Sequence, residues 1–330
     1  MLKVGKVPES VLKRSIFKQI KNKRNEILLG AGVGEDCAAI ELGPDEIFVT
    51  STDPITGTSH DIGALSIHVT ANDIASSGAE VIGVMLSVLL PEGTEESELK
   101  DIMCQAESVC SDLNIQTIGG HTEVTRVVNQ PVITVTGIGK VKKDKLVTTS
   151  GAKVGDDVVV TKWIALEGTS IIAKEKEEEL LKHFSSEFVK TAQDFSQYLS
   201  VVKDAACATK VGVTAMHDIT EGGVFGALWE VAESSKTGLE INLRDIPVRQ
   251  ETIEVCEEFG LNPYELISSG SMLITTPKGA QVVEMLKKAG IGGAVIGKVT
   301  AGADRVLING DEKRFLEPPK SDELYKIYEK

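Results

Sequence analysis

Along this chain the spacing of apolar residues alternates between a period of two and a period near 3.6, the signature of mixed strands and helices. Residues 47–51 (IFVTS) predict a strand, 61–77 a helix of small apolar residues closed by Gly78, and 81–90 a buried strand. Leu99, Ile102, Met103, Ala106, Val109, Cys110 and Leu113 share one stripe and predict an amphipathic helix from about Glu95 to Leu113. Strands follow at 115–118 and at 132–138, where VITVTGI alternates strictly. The polar, Lys-rich stretch 139–157 interrupts the apolar pattern and sets a domain boundary near residue 148. Beyond it come a strand at 158–162, a glycine turn at Gly168, and a charged helix face in AKEKEEELLKHF that belongs in solvent. A strand reaching Met216 then leads through DITEGG into a helix at 224–235 ended by Gly238, with further strands at 271–275 and 295–299.

The chain has 330 residues, which suits two domains, here 1–148 and 149–330, better than one core. A net charge of −14 and only 4% aromatic residues argue against nucleic acid as a partner. The first thirty residues are the exception, with eight Lys/Arg against two Glu, and are expected to form a solvated basic helix. No apolar run approaches the ~18 residues of a membrane span, and the N-terminus shows no secretory pattern. Five cysteines without a CxxC pair oppose a disulfide or zinc framework and fit a reducing cytoplasm. Cys110 falls on the helical stripe and is expected to pack as a small hydrophobe, and Cys37 stands beside Asp36.

Four aspartates change this bland picture. Asp36 follows a glycine-rich loop, Asp53 and Asp218 follow strand-like runs, and Asp73 interrupts a helix of small residues. No Lys or Arg lies within five residues of any of them. Carboxylates in such surroundings need a partner, and hard oxygen ligands suit Mg²⁺, with substrate phosphates completing the shell. Asn72 adds an amide beside Asp73.

Other motifs are less specific. Gly30, Gly32 and Gly34 form a backbone able to approach an anion, but Cys37 occupies the last position of a GxGxxG count. No strand is expected before that loop, because KNKRNEILLG reads as a helix end, and no Gly-Lys pair is followed by Ser or Thr. In IGGHTEVT a strand leads to Gly119 and Gly120 and then to His121, Thr122 and Glu123; His121 is either a base or phosphate donor or a structural histidine. DITEGG places Asp218 and Glu221 before a helix N-terminus, where phosphate binding and simple capping by Thr220 weigh equally. The pairs His60–Asp61 and His217–Asp218 invite a metal-dependent phosphohydrolase reading, but no histidine precedes His60 to complete it.

Taken together, GVGEDCAAI, TSTDP, HDIGALSIHVTANDIASSGAEVIGVML, IGGHTEVT, GDDVVVTKWIALEGT, MHDITEGGVFGALWEVA and IPVRQETIEVCEEFGLNP resemble the superfamily of aminoimidazole ribonucleotide (AIR) synthetase, selenophosphate synthetase, thiamine-monophosphate kinase and HypE. The resemblance covers nearly the whole chain and is strongest to the HypE-like branch. It implies a two-domain PurM-like α/β fold: an N-terminal sheet that forms a barrel with a second subunit, and a C-terminal α/β sandwich. It further implies a homodimer with ATP in the cleft. Asp36, Asp53, Asp73 and Asp218 would be ligands of Mg²⁺–ATP, and Gly32–Gly34 would cover the phosphates. Asn72, Gly119, Gly120, Thr122 and Glu221 would lie near the nucleotide, with His121 and Glu123 as the catalytic pair. The implied chemistry is phosphoryl transfer from ATP to an oxygen of a small-molecule or protein acceptor. Alternatives are a non-catalytic maturation scaffold and a small-molecule kinase. The sequence departs from HypE at His121–Glu123, where HypE has Asp-Thr-Lys. It also ends DELYKIYEK, whereas HypE ends in a carbamoyl-carrying cysteine, so that route to a thiocyanate is not expected here.

Overall fold

The computed structural model describes residues 5–6, 9–31, 38–56, 61–318 and 321–328. The chain divides into two compact units, one of Met1–Ile74 with Ala79–Leu146 and one of Ala75–Gly78 with Val147–Lys330. Each has its own sheet, and the architecture is mixed α/β.

The first unit contains strands β1 (Gly5–Lys6), β2 (Ile27–Leu29), β3 (Ala39–Ile40), β4 (Glu46–Ile55), β5 (Glu80–Pro91), β6 (Gln116–Thr125) and β7 (Val132–Lys142). Its helices are α1 (Glu9–Val11), continued by a π-helical turn, α2 (Ile62–Ser76) and α3 (Glu96–Asp112). Five strands pair in the order β1-β6-β5-β7-β4, with β5 and β6 parallel, and β2 pairs with β3. The alternation of β7 is realised without interruption, burying Ile133 and Val135. Gly137 and Gly139 on β7 let α2 approach closely, since a Cβ at either would fall within 2.6 Å of Ile74. The α3 stripe from Leu99 to Cys110 is buried as expected, Leu113 is half-buried just after the helix, and a Glu95–Glu98 capping box opens it.

In the second unit the strands are β8 (Asp157–Thr161), β9 (Ala215–Ile219), β10 (Gly238–Asn242), β11 (Ser271–Thr276), β12 (Gly293–Thr300), β13 (Arg305–Asn309) and β14 (Glu312–Phe315). They form one sheet in the order β14-β13-β10-β12-β8-β11-β9. The helices are α4 (Leu166–Glu175), α5 (Glu177–Leu180), α6 (Ser186–Gln193), α7 (Val202–Val211), α8 (Gly223–Ser235), α9 (Gln250–Phe259) and α10 (Gly279–Lys288). One core packs α8 against the sheet through Val224, Leu228 and Val231, and another packs α7 and α10 through Ala208, Val282 and Leu286. Among the described residues no helix is long and apolar enough to cross a membrane.

Several expectations need correction. Residues 27–29 form a strand, not a helix end, so a strand does precede the glycine loop. Gly168 lies inside α4, where it makes room for Leu266 rather than a turn. The AKEKEEELLKHF helix is broken between Glu175 and Glu177, and Leu180 is fully buried. Lys236, not Gly238, takes the left-handed position after α8. Among the described residues the basic N-terminal segment is helical only over Glu9–Phe17, where Lys13 and Arg14 are exposed; it then runs into β2, with Arg14 paired to Glu96 and Arg24 to Glu26 and Glu80.

Candidate functional site

Two of the four aspartates meet in the first unit. The β4–β7 register sets Ser51 opposite Gly137 and Asp53 opposite Val135. Gly137 also admits Ile74 of α2, so the neighbouring Asp73 reaches the face of β4. The Ser51 hydroxyl lies 2.5 Å from Asp73 Oδ2 and 3.2 Å from Asp53 Oδ2. A hydroxyl has one proton to donate, so Ser51 donates to one of these carboxylates at a time. Both are half-buried, and a divalent cation is the natural counter-charge for such a pair. Asn72, beside them on α2, is completely buried. Asp36, Gly32 and Gly34, with Cys37 and His60, lie outside the described residues. Among the described residues no three His, Cys, Asp or Glu side chains cluster to cage a metal by themselves. Mg²⁺ commonly takes only one or two carboxylates and fills its shell with water and phosphate oxygens.

The 118–125 segment also differs from expectation, because β6 continues through it. His121 and Glu123 therefore share a face, with His121 Nε2 3.1 Å from Glu123 Oε2 and both side chains open to solvent. Thr122 points to the opposite face and is buried, separated from that pair. Gly119 is open on one side, where a Cβ would only touch Met85. Gly120 adopts φ +145°, and a Cβ there would fall 2.1 Å from the Leu86 carbonyl, so close strand pairing accounts for this glycine.

Asp218 belongs to the second unit and lies within β9, paired with Met272, rather than in the turn after it. It is 4% exposed and accepts a hydrogen bond from Ser76 Oγ at 3.2 Å. The adjacent His217 is 2.8 Å from Glu230. Burial disfavours the His217 imidazolium, but Glu230 and Asp218 outweigh this and raise its pKa. Glu221 is exposed in the following turn. Thr220 does not cap α8; the residue before the helix is Gly222, in a left-handed conformation, whose N–H is accepted by Asp322 Oδ2 at 2.7 Å.

Sequence reasoning missed two acidic residues near Asp218. Asp322 also accepts from Ile267 and Leu324, and its pKa is raised by burial despite these bonds. Glu167 is buried in α4 and accepts from the Ser269 N–H at 3.2 Å. Burial pushes its pKa up to about 7, opposed by Ser269 and reinforced by the charges of Asp322 and Asp218. A carboxylate within the apolar run WIALEGTSIIA was the available signal.

Family models of AIR synthase related protein match residues 34–141 (N-terminal domain) and 153–309 (C-terminal domain). The chain is 26% identical to a putative hydrogenase expression/formation protein of Methanocaldococcus jannaschii, over 98% of this chain and 97% of that one. It is 25% identical to carbamoyl dehydratase HypE of Rhodobacter capsulatus, covering 87% and 83% respectively. A thiamine-monophosphate kinase of Methanospirillum hungatei is 30% identical, covering 71% and 78%. Among solved structures, the hydrogenase maturation protein HypE in complex with ATP superposes with a TM-score of 0.80 at 19% identity, over 97% of each chain. A chain of a HypE–HypF complex superposes with a TM-score of 0.72 at 20% identity, over 82% of this chain and 90% of that one.

Proposed function

The chain belongs to the AIR synthase related family, and from that premise we propose that it is a Mg²⁺- and ATP-dependent enzyme of the HypE-like kind. It transfers a phosphoryl group from ATP to an oxygen of a small-molecule or protein acceptor. The observation that carries this reading is the Ser51 hydroxyl held between the carboxylates of Asp53 and Asp73. In the first unit Asp53 and Asp73, with Asp36, are the proposed cation ligands, and Asp218 is the proposed ligand of the second. The cation would neutralise phosphate charge, the main demand of phosphoryl transfer. Gly32 and Gly34 are assigned to the phosphates, and Asn72, Gly119, Gly120, Thr122 and Glu221 to the nucleotide's surroundings. The exposed His121–Glu123 pair is assigned to accept the acceptor's proton, a role that its solvent-facing position and mutual contact support.

The edge of β4, which pairs with no further strand among the described residues and where Phe48 is 52% exposed, supports pairing with a second copy of the chain as a homodimer. The HypE–HypF complex supports a protein partner in hydrogenase maturation. The kinase relative favours a second reading, in which the acceptor is a small phosphorylated metabolite. The test is ATP consumption with Mg²⁺ across protein and small-molecule acceptors. Acceptor-dependent turnover that Asp73→Asn abolishes is expected; equal turnover by that variant would remove the metal assignment.

A further inference from the structure

The second unit contains a cleft of about 580 Å³, lined by Leu243, Arg244 and Tyr264 together with residues of the β13–β14 hairpin, Leu307 among them. Its charged lining is Arg244, Lys313 and Arg314 against Glu312 alone, in a chain whose net charge is −14. The chain has seven arginines, and five are bound to carboxylates: Arg14, Arg24, Arg126, Arg249 and Arg305. The two that have no carboxylate partner among the described residues are Arg244 and Arg314, and both line this cleft. Each guanidinium nevertheless makes a contact within the unit. Arg244 Nε donates to Asn309 Oδ1 at 3.2 Å, and a Cβ at Gly310 would fall 2.8 Å from Arg244 Nη2, so the hairpin glycine leaves room for this fork. Arg314 lies over the Phe225 ring at 5.7 Å, and Phe225 in turn stacks on Tyr264, which also faces the cleft.

We infer that this cleft is a binding site for a small organic phosphate, separate from the carboxylates assigned to ATP. A guanidinium fork can meet the oxygens of a phosphate monoester bidentately, which a lysine cannot do. Tyr264, Leu243 and Leu307 supply an aromatic and apolar wall for the organic portion. Strong charge in an otherwise acidic molecule is then explained by the ligand that it recognises rather than by internal pairing.

The test is calorimetric titration of the full-length protein with phenyl phosphate, with inorganic phosphate as a second arm. Saturable binding of phenyl phosphate is expected, tighter than that of inorganic phosphate. Arg244→Ala and Arg314→Ala should each weaken it about tenfold, the size of one lost charge-assisted contact. Arg314→Lys should keep the charge and still lose affinity, because the fork is gone. Asp73→Asn should leave it unchanged, which separates this site from the ATP reading. Arg244 and Arg314 are exposed, and unchanged circular dichroism of the variants checks their folding. The inference is overturned by equal affinity in the Arg244→Ala/Arg314→Ala double variant, by loss of binding in Asp73→Asn, or by the absence of saturable binding up to about 10 mM. Equal affinity for the two probes overturns the organic part of the assignment.

Discussion

Replacing Glu167 with Gln should make the second unit more stable at alkaline pH and leave it unchanged in acid. Glu167 is buried, and its pKa of about 7 compares with an ordinary value of 4.5. The folded state therefore holds the proton more tightly than the unfolded chain does. Below about pH 4.5 both states are protonated and the group has no net effect. Between about pH 4.5 and 7 the unfolded carboxylate ionises while burial and the charges of Asp322 and Asp218 keep the folded one protonated, so stability falls across this window and levels off above it. At ~1.36 kcal/mol per pH unit, the interval from 4.5 to about 7 corresponds to about 3 kcal/mol of stability lost above neutrality. Glutamine still accepts the Ser269 N–H bond and does not titrate. Both tryptophans, Trp163 and Trp229, lie in the second unit, so urea unfolding followed by tryptophan fluorescence reports on that unit alone. The measurement belongs in buffer free of divalent cations and nucleotide, because a cation near Asp218 would depress the Glu167 pKa. The expected outcome is coincident curves at pH 4.5 and a variant more stable by up to about 3 kcal/mol at pH 8.5. A difference that does not change with pH, or a variant weakened at pH 8.5, would refute the reasoning.

Three further outcomes follow from packing and pairing. Lys162→Met leaves Asp204 buried without the Nζ contacts at 2.9 and 3.0 Å and should cost about 3–5 kcal/mol by the same fluorescence assay, whereas pairing it with Asp204→Leu should recover most of the loss. Asp322→Ala strips the acceptor from the N–H groups of Gly222, Ile267 and Leu324 and should lower stability by at least ~2 kcal/mol, seen as an earlier urea midpoint. Gly137→Ala sets a methyl 2.6 Å from Ile74 and Thr70; faster amide exchange in α2 and weaker Mg²⁺–ATP binding through the displaced Asp73 are expected, at about 1–3 kcal/mol of first-unit stability.

The α/β class, the α3 stripe and the alternation of β7 were legible because side-chain burial imposes a period that sequence displays directly. Three of the errors have one physical origin. Reading a strand as ending at its first polar residues cut β4 before Asp53, β6 before His121 and β9 before Asp218, although all three lie within strands. Backbone pairing is indifferent to side-chain polarity, so a strand continues past charged residues wherever a neighbouring strand supplies the ladder. Gly168 was misread for a related reason: a glycine admitting Leu266 to a helix has the same letter as a glycine in a turn. Contacts between distant segments, such as Asp322 on Gly222 or Ser51 on Asp73, leave no local trace in the sequence.

The central claim is that the paired carboxylates of Asp53 and Asp73 hold the cation that brings ATP to this chain. Calorimetric titration of ATP with and without Mg²⁺, into the wild-type protein, Asp53→Asn and Asp73→Asn, measures it most directly. Binding that requires Mg²⁺ and weakens by about tenfold or more in each variant is the predicted result. An ATP affinity unaffected by Mg²⁺ and by both substitutions would contradict it.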